Sequence, residues 1–299
     1  MSAPAAPRLG AAGVEVLESL GQHRLLSTRQ VHRLHTPESS IRWTRWLLGR
    51  LRANGLASAT ARPGGLLCWH LTELGADALE AIPTRAETRR KPISPEQAAG
   101  ALQEHTLAVN EVGISFVRAA RERGDECGPF DWFHEVAHPL GPPPGRRAPE
   151  QLICDAILTY LLREDGAQAA SVAYRFVEVD RANRSVPELA RRIGRYARLH
   201  RRTVPREGVG GSVALWERLY PVFPTLLVVL AGRRADRLEE RRRTVLSLCA
   251  QDPDLAAAPE VEVSVCLLDD LVERGPFAPI CRTLADAQRP VDWLGEEAG

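Results

Sequence analysis

The sequence predicts an α/β (α+β) chain in two parts: a helical front part closed by a β-hairpin, and a back part running αβββαβ. Three observations predict it. Helix-period apolar spacing with cap residues dominates the first eighty residues. Apolar runs of strand length recur beyond residue 130, bounded by turn-forming residues. Charge is unevenly shared: residues 1–92 hold 13 Arg plus Lys against 7 Asp plus Glu, a net of +6, leaving −5 for the remainder although the whole chain is +1. At 299 residues two domains are the natural expectation. A hydrophobic share of 44% with 26% charged residues fits a globular chain able to bury a sizeable core.

In the front part, Val14 to Leu20 is expected as a first helix. Ser27-Thr28-Arg29-Gln30 has the capping-box pattern, opening a second helix that runs to about Leu34. After a turn at Thr36-Pro37-Glu38, a third helix runs from about Ser40 to Ala53 and stops at Asn54-Gly55. Ile41, Thr44, Leu47, Leu48 and Leu51 share its inward face; Arg42, Trp43, Trp46, Gly49 and Arg50 take the opposite one. Leu56 to Ala61, a Pro63-Gly64-Gly65 turn and Leu66 to Leu71 read as a hairpin, and a helix begins at Thr72.

That order is the order of a winged helix-turn-helix DNA-binding domain, here residues 1–83. It puts the third helix in the major groove of double-stranded DNA, with Arg42, Arg45 and Arg50 near bases or phosphates, and Arg62 on the wing within reach of the backbone. A solvated helix face accounts for any one of these arginines; the whole pattern is what points to DNA. Two tryptophans on an exposed face call for cover, by the second domain or by a second subunit, which makes a homodimer a candidate assembly.

Residues 84–97, with Pro92 and Pro95, are expected as a linker. A domain over 98–280 and a C-terminal tail over 281–299 follow. The domain holds a helix from about Glu96 to Arg123, a strand at Asp131 to Ala137, a Gly/Pro-rich loop from Pro139 to Pro149, and two strands separated by a polar turn, Arg163 to Gln168. Then come a helix at Pro187 to His200, a strand at Pro224 to Gly232, a helix at Ala235 to Cys249 and a strand at Val261 to Leu268.

Asp155 sits in the apolar run Leu152 to Leu158; Glu178 and Asp180 end the run Val172 to Asp180. Strand alternation puts Glu178 and Asp180 on one face, and a hairpin brings Asp155 beside them. Three carboxylates on one patch repel one another unless a cation intervenes. Two cations are candidates. A divalent ion such as Mg²⁺, held by Asp155 and Glu178, would equip Asp155, Glu178 and Asp180 for phosphodiester cleavage. Arg184 or Arg192 would balance the charge and leave a scaffold. On the helix after Glu188, Arg191, Arg195, Arg198 and Arg202 fall on one face, either a phosphate-tracking stripe or a solvated one.

The αβββαβ order resembles the restriction-endonuclease-like core of the PD-(D/E)xK nuclease superfamily. That resemblance implies an Asp on the second strand and Glu-x-Lys on the third. Asp155 and Glu178 match; Asp180 stands where the lysine belongs, which removes the cation that helps to orient water. Lys91 is the chain's one lysine, and arginine is a poor general base. His105 and Glu111 lie on the helix expected to flank this site.

Over about Val14 to Leu268 the chain also resembles the actinobacterial replication-relaxation family. The carrying segments are His105 to Glu111, Asp155-Ala156, Phe176 to Asp180 and Leu189 to Tyr196. This implies a DNA-binding protein of plasmid or mobile-element replication or transfer, with a degenerate nuclease-like half and a replication initiator or relaxase as partner. Two departures stand out: Ala182-Asn183-Arg184 replaces a Gly-Thr-Glu-like turn, and Arg192 replaces a lysine. The alternatives are a Mg²⁺-dependent DNA endonuclease and a winged-helix transcriptional regulator whose back half only dimerises.

The six cysteines form no CxxC pair and favour a reducing compartment. Ser2 to Gly13 lacks an apolar signal core, and the longest apolar stretch, Phe223 to Gly232, falls short of a membrane span. The expectation is a cytoplasmic protein without a membrane partner. No P-loop, GxGxxG turn or serine-nucleophile motif is present.

Overall fold

A computed structural model describes residues 9–62, 64–81, 101–141, 150–163, 170–206, 208, 210–232 and 234–297. The expected linker at 84–97, most of the Pro139 to Pro149 loop and most of the turn after Arg163 lie outside the described residues. The fold is a mixture of helices and sheets, divided into two compact units, 1–114 and 115–299.

The first unit holds α1 (Ala11–His23), β1 (Leu26–Ser27), α2 (Thr28–His35), α3 (Ile41–Ala53), β2 (Ala57–Ala61), β3 (Leu67–Leu71) and α4 (Glu73–Glu80). The strands form an antiparallel three-stranded sheet in the order β1-β3-β2. The capping box at α2 is present: Ser27 Oγ accepts from the Gln30 N–H at 3.2 Å, and Gln30 Oε1 accepts from the Ser27 N–H at 2.9 Å. Ser40 caps α3. Thr44 of α3 is buried against α2, with its hydroxyl 3.0 Å from His32 Nδ1 and 2.7 Å from the Thr36 hydroxyl. A satisfied buried network of this kind sets the roll of α3 about its axis, because any other roll would strand polar atoms in the core. Val16, Leu17, Leu20, Val31, Leu34, Leu48 and Leu51 fill that core.

The division between units falls inside α5 (Ala101–Arg123). Within the first unit, Asn110 donates to the Leu25 carbonyl at 2.7 Å, and Gln30 donates to the Leu107 carbonyl at 2.9 Å and to Glu111 Oε1 at 2.9 Å. Arg33 pairs with Glu111 at 2.5 Å. Glu111, expected beside the acidic strands, is therefore committed to α2 of the first unit.

The second unit is built on a six-stranded sheet in the order β11-β10-β9-β6-β5-β4. Its strands are β4 (Trp132–Gly141), β5 (Glu150–Arg163), β6 (Ala170–Asp180), β9 (Thr225–Leu230), β10 (Val263–Leu267) and β11 (Arg282–Thr283). A small ladder pairs β7 (Thr203–Pro205) with β8 (Ser212–Ala214). β4, β5 and β6 form an antiparallel meander. β6, β9 and β10 run parallel. The parallel neighbours are joined through α6 (Val186–Arg201) and α7 (Ala235–Cys249), as parallel pairing requires. β4 runs on through Pro139, where a loop is expected from the sequence; proline is tolerated there because β4 is an edge strand.

One core joins Phe176, Leu226 and Val228 of the sheet to Leu189, Ile193 and Tyr196 of α6, Val245 of α7 and Leu255 of the short α8 (Pro253–Ala256). A second is aromatic. Phe116, Tyr160, Phe277 and Trp293 stack edge to face, with ring centroids 4.9–6.0 Å apart. Residues 281–297, expected as a tail, complete the unit: β11 pairs with β10 after α9 (Leu268–Arg274), and Cys281, Val291 and Trp293 are buried. All six cysteines are free and buried. Among the described residues no helix is long and apolar enough to cross a membrane.

Two glycines separate backbone need from chance. A Cβ on Gly75 would stand 2.0 Å from the Leu56 carbonyl oxygen, whereas one on Gly49 would meet nothing within 4 Å. Gly75→Ala is expected to destabilise the chain by about 1–3 kcal/mol, and Gly49→Ala, in an open helix interior, to stabilise it by about 0.5–1 kcal/mol. Urea unfolding of both variants checks this.

Candidate functional site

The acidic strand ends form a site organised by α6. Ser185 caps this helix reciprocally with Glu188, with Pro187 in its first turn. Four residues separate Arg192 from Tyr196, so both side chains leave the same face of α6. They meet Glu178 on β6. Arg192 Nε donates to Glu178 Oε2 at 2.7 Å, and the Tyr196 hydroxyl donates to Glu178 Oε1 at 2.5 Å. Glu178 is 1% exposed. Burial, and secondarily the charge of Asp155, pushes its pKa from the usual carboxylate range up to about 7, against the pull of Arg192 and Tyr196. Burial also opposes the charge on Arg192, but Glu178, Tyr196 and Asp155 more than offset it and hold this guanidinium above the ordinary arginine pKa. Burial, then Glu178, pushes the neighbouring Cys154 thiol far up.

Asp155 does not simply join Glu178 and Asp180 in a row. Cys154 and Ile157 both belong to the core under α6, which breaks the two-residue alternation between them. The β5–β6 ladder ends at Ala156 and Val177, and on the other side the β4–β5 register skips Glu135, whose φ is 53°. Asp155 turns its carboxylate onto the backbone instead: Oδ2 accepts the Val179 N–H at 2.8 Å, while Oδ1 stands 3.8 Å from Arg192. Asp180 is also buried, and it has a different cation. Arg241 of α7 donates from Nε to Asp180 Oδ2 at 2.6 Å and from its terminal nitrogen to the Arg184 carbonyl at 2.8 Å. Arg184 thus contributes its backbone, and its guanidinium reaches no carboxylate of the patch. Among the described residues no three His, Cys, Asp or Glu side chains converge where an ion could sit.

Arg195 and Arg198 are neutralised inside the unit. Both pair with Glu150, at 3.2 and 2.7 Å, and Arg195 also donates to the Gln151 carbonyl at 2.6 Å. The four-arginine stripe expected along α6 is therefore interrupted in its middle. Arg241 was not legible in the sequence: it lies 61 residues from its partner, on a helix whose register against β6 no local pattern specifies.

In the first unit Arg42, Arg45 and Arg50 are exposed on the outward face of α3, opposite the buried Thr44, Leu47, Leu48 and Leu51. Trp43 and Trp46 lie on this side too, 38% and 55% exposed, with ring centroids 6.2 Å apart and the Arg50 guanidinium 5.3 Å from the Trp46 ring centre. Within the described residues of the first unit both rings stay partly open to solvent. Arg62 ends β2's extension but turns inward to pair with Glu104 of α5.

Two predictions follow from the acidic site. The Glu178 pKa is raised on folding, so the native state binds this proton more tightly and the group lowers stability as pH rises from about 4.5 to about 7. Glu178→Gln removes that component. The stability difference between wild type and variant should move against wild type by on the order of 3 kcal/mol across this interval and stay flat above it, read from urea unfolding at pH 4.5, 6 and 8. After β6, Ala182 takes φ 57°, a conformation costly for a residue with a Cβ. Ala182→Gly should stabilise the chain by roughly 0.5–1 kcal/mol in the same assay.

Comparison with curated proteins and with solved structures returns no match. The sequence profile of the family described as Replication-relaxation matches residues 17–213. That span runs from α1 into β8 and takes in both the outward face of α3 and the arginine-held strand ends under α6. It covers well over half of the sequence, and the chain belongs to the replication-relaxation family.

Proposed function

We propose that this protein binds double-stranded DNA sequence-specifically and acts in the replication or transfer of a plasmid or other mobile element, or in their control. Its first unit is the reader, a winged helix-turn-helix in which α2 and α3 form the paired helices and β2–β3 the wing. Its second unit is a restriction-endonuclease-like domain that has given up its ion. Family membership supports the pathway. The observation that carries the DNA reading is the outward face of α3, where Arg42, Arg45 and Arg50 are exposed while the opposite face is locked into the core. A replication initiator or relaxase is the proposed functional partner. A homodimer fits a two-fold DNA site, one copy for each half.

The donor set under α6 does not fit Mg²⁺. Both oxygens of Glu178 are taken by Arg192 and Tyr196, one of Asp155 by a backbone N–H, and one of Asp180 by Arg241. Arginine and tyrosine supply here what an ion would supply in an active nuclease: they hold buried carboxylates in place. They supply no activated water, because the guanidinium stays protonated.

Fluorescence anisotropy with the full chain tests the reading. Binding to duplex DNA should weaken steeply with salt, and Arg42→Ala with Arg50→Ala should cost roughly 1–3 kcal/mol per base-reading contact. Unchanged binding removes α3 from the interface. Supercoiled DNA incubated with Mg²⁺ or Mn²⁺ should stay uncut; robust cleavage lost in Asp155→Ala and Glu178→Ala would replace this reading with an endonuclease.

A further inference from the structure

We propose a second phosphate-binding site, in the second unit: an open cavity at the start of α6 that takes the phosphodiester backbone of a DNA strand. The cavity, of about 460 Å³, is lined by Asn183, Arg184, Glu188, Arg191, Arg192 and Arg195. Four guanidiniums against one carboxylate make it strongly cationic, and the carboxylate is already committed. Glu188 Oε2 accepts from both the backbone N–H and the hydroxyl of Ser185, which with the nearby arginines holds its pKa below the usual range.

The four arginines do different work. Arg192 is spent on Glu178 and the Ile153 carbonyl, and Arg195 on Glu150 and the Gln151 carbonyl. These two form a fixed wall. Arg184 and Arg191 are exposed at the mouth. Among the described residues the Arg184 guanidinium has no hydrogen bond or ion pair, and Arg191 spends only its Nε, on the Pro187 carbonyl at 3.3 Å. The Arg184 guanidinium and the terminal nitrogens of Arg191, over a cationic wall, match the oxygens of a phosphate, and the open mouth admits a continuous chain rather than enclosing a small anion. Of the carboxylates that would repel DNA, Glu178 is buried and paired with Arg192 and Asp180 is buried and paired with Arg241, which weakens their opposition to an anion at the cavity. The unpaired charge of α6 is thus concentrated at its first turns instead of along the face expected from the sequence.

This inference rests on the DNA-binding reading, and two double variants of the full chain separate them. Arg184→Ala with Arg191→Ala touches no core contact and should leave the thermal transition unchanged. Binding to a 20-bp duplex should fall about 10-fold at 0.1 M salt, for every duplex sequence alike, and the slope of log affinity against log salt should shrink by about 1–2. Arg184→Lys with Arg191→Lys should retain most of the affinity. Arg42→Ala with Arg45→Ala should instead reduce the preference for one sequence over another. If the α6 variant binds with wild-type affinity and salt slope while the α3 variant is impaired, the cavity is not a phosphate site. If only the α6 variant is impaired, the cavity stands and the assignment of α3 falls. Displacement of the duplex by a polyglutamate peptide in wild type but not in the α6 variant would overturn the proposal in favour of an acidic protein partner.

Discussion

A carboxylate buried beneath a helix must find a cation, and in the second unit that requirement positions everything around it. Glu178 lies 1% exposed at the end of β6, and Arg192 with Tyr196 reaches it from α6. An isolated buried charge would cost several kcal/mol, so removing its partner is far more disruptive than the net worth of the pair. Because Arg192 and Tyr196 must face down, Leu189 and Ile193 are carried into the core and Arg191 is turned out to solvent. Gly194 then faces α8 at a distance where a Cβ would crowd the Asp252 carboxylate. One ion pair therefore fixes the roll of α6, and the roll decides which arginines are structural and which are available.

The two units handle positive charge in opposite ways. In the first, the arginines of α3 are exposed while the buried Thr44 hydroxyl pairs with His32 and Thr36. In the second, buried carboxylates absorb Arg192 and Arg241, and Glu150 absorbs Arg195 and Arg198. Net charge alone hides this. The back part sums to a negative value, yet the mouth of the α6 cavity is positive, because what matters to an approaching anion is the unpaired charge at the surface.

Local patterns were legible where local physics decides. The capping box at Ser27, the inward face of α3 and the strand character around Asp155 and Glu178 follow from residues within one or two turns of each other. Arg192 was identifiable as a counter-charge because it lies within the helix that follows β6. What failed was what depends on distant chain. The phase break in β5 between Cys154 and Ile157 leaves an apolar run looking like an ordinary alternating strand. Arg241 is an unremarkable residue in an Arg-rich helix until the sheet places β6 beneath it. β11 is two residues long and gains its identity only from pairing with β10. Glu111 reads as part of the acidic site when the long helix is taken as one unit, whereas its first half packs with α2 of the first unit.

The aromatic cluster sets an order of events during synthesis. Phe116 and Tyr160 leave the ribosome long before Trp293, whose ring packs against both, and before Arg175 can lay its guanidinium 4.5 Å from the centre of that ring and donate to the Trp293 carbonyl at 3.1 Å. Burial draws the Arg175 pKa down to about 10, against the pull of Glu262, Cys281 and Asp292, and the Trp293 ring covers the guanidinium. Until that ring arrives, the growing polypeptide exposes an apolar sheet face with a charge set into it. The second unit therefore completes this part of its core only once residue 293 has been synthesised.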